Sequence, residues 1–85
     1  MPTISYFYGI TIIMYPRAKE HNPPHIHAIT PDCVATFDIR TGELMQGKDF
    51  PGKARKMVVT FILKYQEDLL EMWETGVYKR LEPIR

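Results

Sequence analysis

The sequence predicts an α+β domain: an antiparallel sheet of four or five strands, followed by a C-terminal amphipathic helix, with a bend allowed for, packed on one face. Three observations predict it. The first half is rich in β-branched and aromatic residues, broken by turn-forming pairs. From Ala54 onward the apolar residues change to the helical spacing i, i+3, i+4, i+7. The whole chain is 85 residues, the length of a single domain over residues 1–85, and no repeat, linker or low-complexity tract divides it.

The elements follow in order. Thr3 to Phe7 and Ile10 to Tyr15 form a hairpin about Tyr8-Gly9. Pro16 ends the second strand, and residues 16–24 are a polar loop stiffened by Pro23-Pro24. His25 to Thr30 and Cys33 to Ile39 are the third and fourth strands, joined at Pro31-Asp32. Thr41-Gly42 is another turn, and Glu43 to Gln46 a short edge strand. Then Ala54, Met57, Val58, Phe61, Ile62 and Tyr65 mark a helical stripe that Leu69, Leu70, Trp73 and Val77 continue, with a bend near Tyr65-Gln66. Asp49 is the expected N-cap, with Pro51 in the first turn, and Gly76 is a natural stop.

Composition narrows the function classes. A net charge of +1 gives no bulk pull toward nucleic acid or membrane, so any such binding needs a local patch. Cys33 is the only cysteine, which excludes an intramolecular disulfide and a cysteine-rich zinc site and fits a reducing compartment. In the strand pattern it falls on the apolar face, as a small buried hydrophobe. No signal-peptide pattern is visible at the start. The longest apolar run, Ile12 to Tyr15, is far too short to span a bilayer. The expectation is a cytoplasmic protein with no membrane role.

The chemistry concentrates in "EHNPPHIHA", residues 20–28, which holds all three histidines. Strand alternation puts His25 and His27 on one face and Ile26 and Ala28 on the other. A two-residue turn at Pro31-Asp32 pairs Thr30 with Cys33. His27 then lies opposite Thr36, and His25 opposite Asp38. That face is expected to be the one the helix leaves uncovered, with His21 entering from the loop beside Arg17 and Glu20. Three readings remain open. In the first, His21, His25 and His27 ligate a divalent metal such as zinc: an H-x-H pair about 6.6 Å apart along a strand can converge on one ion. In the second, His21, His25 and His27 do acid–base work with Asp38 orienting His25, and two such imidazoles can cleave RNA without a metal. In the third, the histidines are polar residues of a half-exposed strand and carry no chemistry.

Two lesser signals stand beside these. Lys53, Arg55 and Lys56 crowd the first helical turn, where the dipole disfavours cations. Either they and the backbone N–H groups bind an anion or anionic cofactor, or they are a solvated face. In the first hairpin Tyr6, Tyr8, Ile13 and Tyr15 share one face if Ile10, Ile12 and Met14 share the other, so both faces are apolar or aromatic. One helix covers only one of them, which predicts self-association or a companion protein.

Taken together, "MPTISYFYGITIIMY", "EHNPPHIHA", "FDIRTGE" and the C-terminal helix with Trp73 resemble a small bacterial family, domain of unknown function 4160, over nearly the whole chain. "FPGKARK" resembles that family's leucine-proline-basic helix start, with Phe50 in place of the leucine. The resemblance implies a two-gene toxin–antitoxin-like module, with this type the toxin and a second small protein, of the 2442 family, its encoded companion. It carries over no catalytic residue. The leading expectation is therefore a toxin component, with RNA as the substrate of the histidine cluster. The alternative is a non-enzymatic interaction or metal-binding domain.

Overall fold

The computed structural model describes residues 3–15, 23–47 and 49–84. Five strands come first: β1 Thr3–Phe7, β2 Ile10–Ile13, β3 His25–Ile29, β4 Val34–Asp38 and β5 Leu44–Gln46. Two helices follow, α1 Gly52–Lys64 and α2 Gln66–Thr75. The strands form one antiparallel meander in the order β1-β2-β3-β4-β5. This is the predicted α+β class, with the helical region divided in two at Tyr65. Among the described residues no helix is long and apolar enough to cross a membrane.

Turn chemistry sets the register. Tyr8 and Gly9 both have positive φ, 51° and 79°, the handedness a two-residue hairpin needs. Pro31-Asp32 has no such preference, and Thr30 supplies the closure instead. Its N–H donates to Cys33 O at 2.8 Å, and its Oγ1 accepts from Cys33 N at 3.0 Å and Asp32 N at 3.3 Å. The resulting pairs include His25 with Asp38, His27 with Thr36 and Ala28 with Ala35, the predicted register. Gly47, after β5, is a place only glycine fits: φ is +96°, and a Cβ there would sit 2.7 Å from Val34 O.

One face of the sheet is buried. Ile12, Ala28 and Ala35 stand in line across β2, β3 and β4, and Ile26 pairs with Phe37 beside them. Val58, Phe61 and Ile62 of α1 and Leu69, Met72 and Trp73 of α2 cover that face in one contiguous core. Each large apolar side chain so buried contributes about 1.5–3 kcal/mol. In β1 the pairing shifts between Thr3 and Ser5, so Ile4 is an inserted residue, and both Ile4 and Ser5 are buried.

The helix ends differ from expectation at two points. Pro51, with φ −58° and ψ 138°, is the N-cap of α1, and no side chain caps it. Asp49 is exposed and ends two residues short of the role assigned to it, because the proline already stands at the half-helical position. Gly76 does close α2, in the left-handed conformation at φ 72°, with its N–H donating to Met72 O. The chain therefore leaves the helical path before Val77, which is 73% exposed and not part of the stripe. Cys33 is only half-buried at the core edge, where its Sγ lies 3.8 Å from Asp49 O.

Two contacts hold the helices to the ends of the sheet. Gln66, the first residue of α2, donates its side-chain N–H groups to Ile39 O at 2.9 Å and Arg40 O at 2.7 Å. Beyond α2, Leu81 is buried and its N–H donates to Ile4 O at 2.8 Å, tying the C-terminal segment to β1. So α2 starts near the end of β4, and the chain after it arrives at β1.

Candidate functional site

The face opposite the core is read off the same pairings. Thr3, Ile13, His27, Thr36 and Gln46 form one row across all five strands. His25, with Asp38 across from it, lies on the same face one pleat step away. Ile13 is buried but stands outside the contiguous core, as its position on this second face requires.

Here His25 and His27 come together, with ring centroids 5.3 Å apart. His27 is half-buried, and its ring meets Tyr15 edge-on at 4.6 Å. His25 is 8% exposed. Its ring lies 5.2 Å from that of Trp73, near the end of α2. The expectation that both histidines are clear of the C-terminal helix thus fails for His25. The alternation is right, but α2 crosses near the end of the sheet where β3 begins, so Trp73 reaches a ring on the other face. The sequence marked Trp73 as core and gave no sign of this contact.

The protonation geometry of His25 follows from one bond. Its Nδ1 lies 2.8 Å from Pro23 O. A carbonyl oxygen only accepts, so Nδ1 carries the proton, and in the neutral ring the lone pair is on Nε2. Pro23-Pro24 is therefore more than a stiff approach to the strand. It presents the carbonyl that sets the tautomer of His25.

Asp38 is where the register put it, across from His25. Its Oδ1, however, accepts from Arg40 N at 2.7 Å and Thr41 N at 3.3 Å, closing the turn toward β5. That is the ordinary use of an aspartate at a turn. The third histidine, His21, lies outside the described residues, as do Arg17 and Glu20. Among the described residues no three His, Cys, Asp or Glu side chains are grouped to hold a metal ion. The zinc set is thus described for His25 and His27 alone.

The basic first turn of α1 is a separate place. Arg55 and Lys56, with Gly52, Val59 and Thr60, line an open groove, and Lys53 is exposed on the same turn. No acidic residue lies in that turn.

No curated protein and no solved structure matches the chain. A family model does match, over residues 9–74, which takes in β2 to β5, α1 and nearly all of α2. On that match the chain belongs to the family described as Domain of unknown function (DUF4160).

Proposed function

We propose that this chain is the toxin component of a bacterial two-gene toxin–antitoxin-like module, working in the cytoplasm beside a small companion protein, and that its target is RNA. The observation that carries the catalytic part is the imidazole pair. His27 is the ring a substrate reaches, and His25 stands behind it with a defined tautomer. In the reaction proposed, one neutral imidazole takes the proton of a ribose 2′-OH. The 2′-oxygen forms a bond to phosphorus as the P–O5′ bond breaks, and the other ring, protonated, gives its proton to the leaving O5′. Imidazole suits both roles because its ordinary pKa lies near neutrality. His21 would be a third member of the cluster.

Expression of wild type against a His25→Ala/His27→Ala variant tests this, with growth and bulk RNA integrity followed. Growth arrest with RNA loss in the wild type alone is expected, and relief by the companion protein assigns the module. A double variant as harmful as the wild type would sink the histidine assignment.

A second reading has its own support. A metal-ligating histidine usually donates its other ring N–H to a carbonyl or carboxylate, and His25 Nδ1–H does so to Pro23 O. In this reading His21, His25 and His27 hold a zinc-like ion in a non-enzymatic domain. Elemental analysis of purified protein separates the two: one metal per chain, lost in His25→Ala, supports this reading.

A further inference from the structure

Charge divides the two helices. α1 carries Lys53, Arg55, Lys56 and Lys64 and no acidic residue, whereas α2 carries Glu67, Asp68, Glu71 and Glu74 and no basic one. The two sets cancel, so the net charge of +1 hides them. The four cations of α1 are exposed, and among the described residues none of them is ion-paired to a carboxylate. Lys53, Arg55 and Lys56 stand against the helix dipole, and Lys53 and Lys56, three apart, repel each other. The helix itself gains nothing from them.

Their placement forms a surface. Lys53, Lys56, Thr60 and Lys64 follow at spacings of three and four, one stripe about 16 Å long on the outside of α1. Beside it is the open groove that Arg55 and Lys56 line with Val59. A carbon added to Gly42 would lie 3.4 Å from Val59 Cγ1 and 3.9 Å from Leu63 Cδ2, so this side of α1 stands at the β4–β5 turn, next to the β5 edge of the sheet. Around that edge, Gln46 and Thr36 lead along their row to His27. His27 is two strands in from β5, about 10 Å. The exposed acids of the adjoining chain are Glu43 and Asp49, with Arg40 exposed on the same turn as Glu43.

We propose that this face of α1 binds the phosphate backbone of single-stranded RNA, which passes from there round the β5 edge toward His27. Lysine is depleted at the centre of protein interfaces, whereas it meets phosphates well as a point charge, independent of base sequence. The proposal rests on RNA as the target of this protein, but on no part of the histidine chemistry.

Fluorescence anisotropy of a labelled 2′-O-methyl oligouridylate of about 16 nucleotides tests it, with the full wild-type chain at up to about 100 µM and salt varied. That oligomer has no free 2′-OH, so the binding reading does not depend on cleavage. The wild type should bind, and more weakly as salt rises. Lys53→Gln/Lys56→Gln should retain the wild-type circular dichroism, bind at least tenfold more weakly at low salt, and lower the log–log salt slope by about 1.4, or 0.7 per lost phosphate contact. Lys79→Gln/Arg80→Gln, the same charge change in the exposed C-terminal segment, should shift affinity less than twofold. No binding by the wild type overturns the proposal, even where its expression destroys RNA. So does an equal loss in the two double variants, or an unchanged slope in the first. Poly-glutamate that competes as well as unlabelled oligomer assigns the face to an acidic protein and overturns the RNA assignment. Binding as expected, with no RNA loss on expression, leaves this proposal standing and removes the cleavage reading alone.

Discussion

The rings of His25 and Trp73 lie with centroids 5.2 Å apart and planes inclined by 50°, so the first residue of β3 is covered from α2. Trp73 is itself 1% exposed and belongs to the main core. One side chain therefore joins the core to the histidine pair. Damage to core packing at this position should be felt at the site.

Trp73→Ala should cost about 3–5 kcal/mol, the usual penalty for emptying a core aromatic position. Thermal or urea unfolding measures it. Where the variant remains folded, the His25 ring resonances should shift more than those of His27. Trp73→Phe should cost less, because Trp73 Nε1 is buried without a hydrogen-bond partner among the described residues and its loss removes an unsatisfied donor. Equal midpoints for wild type and Trp73→Ala would show that the ring is not part of the core.

Ser5→Ala should be neutral or stabilising by up to about 1 kcal/mol. Ser5 is 1% exposed and its Oγ is buried with no hydrogen-bond partner among the described residues, so the hydroxyl is desolvated without return. A loss of more than about 1 kcal/mol in urea unfolding would show that the hydroxyl has a partner in solution.

Gly47→Ala and Gly9→Ala should part clearly. Both residues have positive φ, so each substitution carries a backbone cost of about 1 kcal/mol. At Gly9 no atom of the described residues lies within 4 Å of the added carbon, whereas at Gly47 it would meet Val34 O at 2.7 Å and the Ala35 Cβ at 2.8 Å. Both obstacles belong to or adjoin the β4 backbone, so β5 must move away. An extra cost of about 1–3 kcal/mol at Gly47 is expected. Similar melting temperatures for the two variants would contradict that account.

Asp38→Asn should preserve both stability and any histidine-dependent activity, while Asp38→Ala should lose about 1 kcal/mol. The asparagine side chain keeps an oxygen for Arg40 N and Thr41 N, the bonds that Asp38 Oδ1 makes. Were the carboxylate instead needed to hold His25 or raise its basicity, the asparagine variant would keep its stability and lose activity. Denaturation and the growth assay together distinguish the two roles.

Much of this structure was legible locally. The Tyr8-Gly9 turn determines which residues of β1 and β2 face each other, and the Pro31-Asp32 connection with strict alternation does the same for β3 and β4. Each is decided by residues close in sequence, and the pairing of His25 with Asp38 follows from them. The bend at Tyr65 and the stop at Gly76 are likewise written in the spacing of apolar residues and in one glycine. Local signals also misled, as at Asp49, where a good capping residue lost its position to Pro51. What no local pattern determined is where α2 lies relative to β3. That depends on the break at Tyr65, on the Gln66 contacts to Ile39 and Arg40, and on the Leu81 bond to Ile4. Periodicity states that Trp73 is apolar-facing. Only the assembled sheet ends decide that it meets His25, because contacts between residues distant in sequence are selected by packing and not by the propensities of either segment.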